Sequence, residues 1–279
     1  NQFAYHADFI NPPPGYYEHT TILNGRIAKQ SNINDEIGYQ IKLSGPIGLN
    51  HTASISLAKS SQHQSWIQND EYQWMIDDKI NWMPSSKTFA SPYNEFFINF
   101  DGNFFNHKLF YDIGWSSIKD VQYLFANQNR SNGQFQVHEL LNSESIPLSL
   151  TYAINSKYSF ELKFEYQELE QGSLRKMNNE TSFLSVVPKP FRYNNVISIG
   201  LASSPKWSIT YLQDQTSIDE KSLEKKQWTY WEFLYRFNQN ILITYFNGSL
   251  KGGLVCSNGV CRYKQPFEEG QKITLVYTF

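Results

Sequence analysis

The chain has 279 residues and a formal net charge of −2, with 24 basic against 26 acidic residues, a balance that offers no basic face to nucleic acid. Aromatic residues make up 16% and charged residues only 18%, yet no run of about 18 apolar residues exists, so no helix of this sequence spans a membrane. Membrane strands stay open, because a strand that alternates averages out as polar.

The chain starts at Asn1 without an initiator Met or a signal sequence, which reads as a processed or truncated chain. Residues 1–10 alternate, with Phe3, Tyr5, Ala7 and Phe9 opposite Gln2, His6 and Asp8. Asn11-Pro12-Pro13-Pro14-Gly15 breaks the ladder, and a polar stretch runs to about Glu36. Ile37, Tyr39, Ile41 and Leu43 then alternate with polar residues, Gly45-Pro46 begins a turn, and Ala53, Ile55 and Leu57 alternate in return. A long insertion covers roughly 60–93. Tyr72, Ile76, Lys79, Ile80 and Met83 predict a short helix there, stopped by Pro84. Its Trp66, Trp74 and Trp82 with Asp70, Glu71, Asp77 and Asp78 could form a sugar or calcium site, although self-packing of a long loop is the favoured reading.

Phe96, Ile98 and Phe100 begin the next strand, Asp101-Gly102-Asn103 reads as a hairpin turn, and Leu109, Tyr111, Ile113 and Trp115 return. A second long loop is expected over 116–145. Leu148, Leu150, Tyr152 and Ile154 precede a turn at Asn155-Ser156. Tyr158, Phe160, Leu162, Phe164 and Tyr166 form the cleanest alternation in the chain. Further loops are expected over 169–195 and 214–226. Between and after them come strands at Ile197–Leu201, Trp207–Tyr211, Trp231–Phe237 and Ile241–Tyr245. The last strand carries Ile273, Leu275, Tyr277 and Phe279 on one face.

Two regularities decide the fold class. Every strand has one apolar, aromatic face, and the connections alternate long and short. That sorting of loop lengths predicts an all-β, antiparallel transmembrane β-barrel of about twelve strands of nine to eleven residues, with short periplasmic turns and long extracellular loops. The prediction covers residues 1–279 as one domain in a bacterial outer membrane. The C-terminus is then periplasmic, and Tyr277 and Phe279 act as an assembly signal at the end of the last strand.

The opposite faces would line the interior. They carry Lys42, Lys108, Asp112, Glu161, Lys163, Glu165, Glu232, Arg236 and Lys272, both signs in near balance. Such charges need partners or water. They either tie the interior together or line an aqueous path, and the sequence does not choose. Cys256 and Cys261 flank Asn258-Gly259, a tight-turn pair, which predicts a disulfide across a hairpin in an oxidising compartment. No catalytic, cofactor or metal constellation stands out. Ser131-Asn132-Gly133 resembles the Ser-Asn-Gly of outer-membrane phospholipases, but Asn129 stands where their His base is required. The expectation is therefore a non-enzyme.

Gly252-Gly253-Leu254-Val255-Cys256-Ser257-Asn258-Gly259-Val260-Cys261-Arg262 resembles a hairpin of uncharacterised Bacteroidota outer-membrane barrels, with a Cys-x-x-Gly-Val-Cys-Arg pattern before the last strand. Asn11–Tyr16 and Asp35–Gln40 are similar to segments of the same family. The resemblance implies a barrel and an outer-membrane address, with no catalytic residues. It also implies members longer at the N-terminus, and so room for strands ahead of Asn1. Two functions remain. One is a subunit or scaffold of an outer-membrane transport, secretion or surface-assembly complex, with outer-membrane lipid and other outer-membrane or surface proteins as partners. The other is a stand-alone channel for small polar solutes.

Overall fold

The computed structural model describes residues 21–27, 29, 36–63, 66–68, 74–76, 82–129, 133–177, 184–188, 191–218, 226–257 and 260–278. The alternating stretch 1–10, the acidic residues of the 60–93 insertion and Phe279 lie outside them. A five-residue helix α1 (Ile22–Arg26) precedes β1 (Glu36–Pro46) and β2 (His51–Gln62). A small hairpin of β3 (Trp66–Gln68) and β4 (Trp74–Ile76) follows, then a 3-10 turn at Thr88–Ala90. The main ladder continues with β5 (Tyr93–Phe104), β6 (Leu109–Asn129), β7 (Gly133–Ala153) and β8 (Tyr158–Met177). After the short β9 (Leu184–Pro188) come β10 (Arg192–Ser203), β11 (Trp207–Ile218), β12 (Lys226–Arg236) and β13 (Ile241–Leu250). A second hairpin, β14 (Gly253–Ser257) with β15 (Val260–Lys264), leads into β16 (Phe267–Tyr277).

Eleven strands form one antiparallel sheet in the order β1-β2-β5-β6-β7-β8-β10-β11-β12-β13-β16, with β9 added beside β8. The neighbours in space are neighbours in sequence, the rhythm that the alternation predicts. All the short turns, at 47–50, 105–108, 154–157, 204–206 and 237–240, lie at one end of the strands. The Thr278 N–H donates to the Asn240 carbonyl at 2.9 Å, which brings the end of β16 to the same level.

Several expectations are corrected. Trp74–Ile76 is a strand paired with Trp66–Gln68, where a helix was expected; Trp and Ile favour a pleated surface. Asp101-Gly102-Asn103 lies inside β5, paired with Asp112, Tyr111 and Phe110. The reversal comes later, where Phe105, Asn106 and His107 take φ values of 55°, 54° and 63°. The expected loop over 116–145 is mostly sheet, because β6 and β7 are 21 residues each and β8 is 20. The polar residues of these extensions pair through their backbones, which an apolar-pattern reading does not detect. At Gly248 the chain has φ 134° beside a bulge, and a Cβ there would sit 2.1 Å from the Thr229 carbonyl oxygen, so only glycine fits.

The register separates the two faces. One row across eight strands reads Leu109–Tyr152–Phe160–Leu201–Ile209–Phe233–Tyr245–Ile273. This outer face is apolar and open: Leu43 is 66% exposed and Leu275 65%. The other face carries Glu165, Gln167, Asn194, Asp214 and Thr216, all buried. Polarity is inverted relative to a sheet packed in water, where the apolar side is the one covered.

Candidate functional site

α1 lies on this inner face. Its formation is tertiary rather than intrinsic. Asn24 and Gly25 are poor helix formers, five residues are too few for an isolated helix, and Thr21 at its start makes no side-chain cap. A strand side chain supplies the cap instead. The N–H groups of Ile22 and Leu23 donate to the two carboxylate oxygens of Glu165 at 2.8 and 2.7 Å. These are unsatisfied donors at a helix start, and an anion there is favoured.

The other end is tied by charge. Arg26 Nη2 donates to Asp214 Oδ2 at 2.5 Å on β11, with the Asp214 side chain only 3% exposed. Lys29 Nζ reaches Asp120 Oδ1 at 3.1 Å on β6 and lies 5.7 Å from the centre of the Tyr93 ring on β5. Between these ends Asn24 Nδ2 donates to Ser116 Oγ at 3.1 Å, and its Oδ1 accepts from Ser145 Oγ. The two serine hydroxyls are 2.9 Å apart, which closes a small buried network over β6 and β7.

Apolar contacts back these bonds. Leu23 packs with Val196 and Leu212 on β10 and β11, beside Ile22 and Tyr230. Ile27 packs against Ala58, Tyr93 and Ile118 on β2, β5 and β6. Adjacent residues Leu23 and Asn24 therefore touch strands β11 and β6. On a flat sheet those strands would stand roughly 19 Å apart, four steps of about 4.8 Å. The sheet must curl around the segment for one short helix to reach both.

Lys251, between β13 and β14, joins the Asp214 end. Its Nζ donates to Thr216 Oγ1 at 2.5 Å and lies 5.1 Å from the centre of the Trp228 ring. Burial pushes its ammonium down to about 8; Asp214 opposes that shift, and Arg26 and Arg192 add to it.

The charges named from sequence fall as follows. Lys42, Asp112, Glu161, Lys163, Glu165, Glu232, Arg236 and Lys272 share the inner face. Glu161, Glu232 and Lys272 stand in one ladder row, Glu161–Gly200–Thr210–Glu232–Phe246–Lys272. Lys108 lies in the 105–108 turn, outside the ladder. Of these residues Glu165 is the one brought against α1. Lys163 pairs with Glu161 at 2.9 Å, both side chains near half exposed. Cys256 and Cys261 are register partners across the β14–β15 hairpin, with the Asn258-Gly259 turn outside the described residues. Tyr277 pairs with Ile241 at the end of β16. Toward the short-turn end a cavity of about 670 Å³ lies between His51, Asp101, Tyr111 and Asp112.

Sequence reasoning missed Asn24, Arg26, Lys29, Asp120 and Asp214. The signal for the first three was Ile22-Leu23, an apolar pair in a polar stretch, followed by two cations. Asp120 and Asp214 fell in regions read as loop.

A model of a family of unknown function, DUF6029, matches residues 2–279. The chain belongs to that family. No curated protein and no solved structure matches it. In this DUF6029 chain the Glu165–α1–Asp214 assembly joins the N-terminal segment to the middle of the sheet.

Proposed function

We propose that this DUF6029 protein is an integral β-barrel of a bacterial outer membrane, as in the Bacteroidota, and a non-enzymatic subunit or scaffold of a transport, secretion or surface-assembly complex. The observation that carries the reading is the curled sheet of inverted polarity, filled by a segment of its own chain. An apolar face this continuous is far larger than a protein in water leaves open. Lipid is the solvent that fits it, with the C-terminal end of β16 on the periplasmic side.

Closure is part of the proposal. β1 and β16 both run toward the short-turn end, so pairing them directly would be parallel. An antiparallel barrel with an even strand count takes one more strand between them, running the other way. Residues 1–10 carry the alternation such a strand needs. The Cys256–Cys261 disulfide is likewise proposed, supported by their opposed register.

The anchored segment favours a scaffold over a channel. Buried ion pairs to β6 and β11, with the hydrogen bonds of Asn24 to β6 and β7 and of Glu165 to α1, are costly to dissolve for a passing solute. The decisive experiment is native mass spectrometry of the protein extracted from its own membrane in mild detergent, followed by bilayer conductance. A stoichiometric assembly well above the 32.6 kDa of one chain is expected, with no conductance above background. A lone chain overturns the subunit reading. If that chain conducts, and reversal of Glu161 or Lys163 alters the current, the channel replaces it. Hydrolysis of lipid would overturn both.

A further inference from the structure

On the outer face Lys59 of β2, Asn94 of β5 and Lys119 of β6 form one ladder row, Lys59 opposite Asn94 and Asn94 opposite Lys119. On β2 and β5 the outward apolar run ends at this row. Two residues nearer the turns stand Leu57, Phe96 and Ser117, and then Ile55, Ile98 and Trp115. β1 adds Tyr39 opposite Lys59 and Ile41 opposite Leu57. Between them lies a groove of about 500 Å³, floored by Tyr39, Ile41, Leu57 and Phe96 and rimmed by Lys59 and Lys119. Below it Phe96 packs against Trp115, ring centres 5.5 Å apart and the planes tilted by 57°.

A second feature brackets the same place. Lys59 Nζ donates to Ser86 Oγ and Ser61 Oγ accepts from the Ser85 N–H, both at 2.9 Å, which lays the 82–87 segment against the top of β2. Trp82 on that segment is 86% exposed and Met83 66%. Exposed Trp and Lys at the edge of an apolar band are the side chains that sit at a membrane interface, the ring amphipathic and the ammonium reaching for headgroups.

We propose that this groove holds one anionic, phosphate-bearing lipid at the long-connection end of the barrel. The headgroup phosphate sits between Lys59 and Lys119, with the Asn94 amide as a third donor. One acyl chain lies over Leu57 and Phe96 toward Trp115. Two strand steps put the lysine backbones about 10 Å apart, a span that two long side chains close onto one phosphate. Glu144 and Glu168, partners on the outer face of β7 and β8, set the lateral limit by repelling an anion beyond Lys119. The proposal rests on the membrane reading above.

The test reconstitutes the full chain in vesicles, checks insertion by resistance to alkaline extraction, and then counts retained lipid by native mass spectrometry. Phosphatidylglycerol is compared with phosphatidylcholine of the same chains. One phosphatidylglycerol is expected at an occupancy about thirtyfold above phosphatidylcholine, the scale of two basic side chains at a charged interface. Lys59→Ser with Lys119→Ser abolishes the preference, and Lys157→Ser, in the turn at the opposite end, leaves it intact. Equal retention of the two lipids, a preference that survives the double substitution, or displacement by soluble glycerol phosphate at equal concentration overturns the proposal. Each of those results, obtained with inserted protein, leaves the membrane reading standing. Failure to insert removes both.

Discussion

The inner face holds two sets of charges on the same strands, with opposite surroundings. Glu165, Asp214 and Asp120 lie under the N-terminal segment, buried, each bonded to a group of that segment. Glu161 and Lys163, four and two residues nearer the turns on β8, pair with each other while side-chain exposures stay at 41% and 45%. The chemistry of the groups is the same; the difference is the water. A buried pair is strongly coupled, because removing one partner strands the other in a medium that cannot solvate it. An exposed pair is screened and contributes little. The segment is therefore held by a few sites and not by the whole charged face.

The largest effect is expected at Asp214. Asp214→Ala leaves the Arg26 guanidinium buried without its carboxylate and is expected to cost about 3–5 kcal/mol. It should appear as a large fall in the thermal midpoint of the detergent-solubilised protein. Arg26→Met combined with Asp214→Leu removes both charges and should recover most of the loss, since an apolar pair of similar volume fills the site without stranding a charge. A single substitution as mild as one at Lys163 would mean that α1 is not held at this end by the ion pair.

A smaller effect is expected with pH. The Lys251 ammonium is pushed down to about 8, while an unfolded chain keeps that proton to 10.5. Between those values the unfolded state binds more protons, so stability rises with pH across the window, by on the order of 2 kcal/mol. Below pH 8 the folded protein carries the full penalty of a buried charge. Thermal midpoints at pH 7.5 and pH 10 should therefore differ more in the native protein than in Lys251→Met. Identical differences in the two proteins would mean that the Lys251 ammonium is not buried.

The legible and illegible parts of this molecule divide along the same line. Strand order could be read because outer-face alternation repeats locally, as in Tyr158, Phe160 and Leu162, and the side chains that carry it are neighbours two apart. Glu165 was placed on the inner face by the same parity. Its role was not readable, because its partners are backbone N–H groups 143 and 142 residues away. α1 has no local mark of a helix: a segment containing Asn24 and Gly25 is helical because Glu165 caps it and Asn24 is bonded across to two serines. The turn placed at Asp101-Gly102-Asn103 failed for a related reason. Those residues favour a reversal in isolation, but β2 and β6 pair with them on both sides and carry the strand on to Phe104.

The smallest expected effect completes the contrast. Lys163→Ala removes a 2.9 Å ion pair on the same strand as Glu165, two residues from it. Water reaches both partners, so the released Glu161 carboxylate is resolvated, and the loss should stay within about 0.5 kcal/mol. The remaining coupling is also open to counterions, so any measurable part of it should fall further between 0.05 and 0.5 M salt, a range over which the screening length drops to about 4 Å. The Arg26–Asp214 contribution should change little over the same range, since ions do not enter a covered pair. A loss at Lys163 comparable with that at Asp214 and insensitive to salt would mean that the lower interior is also closed to water, and that burial does not separate the two sets.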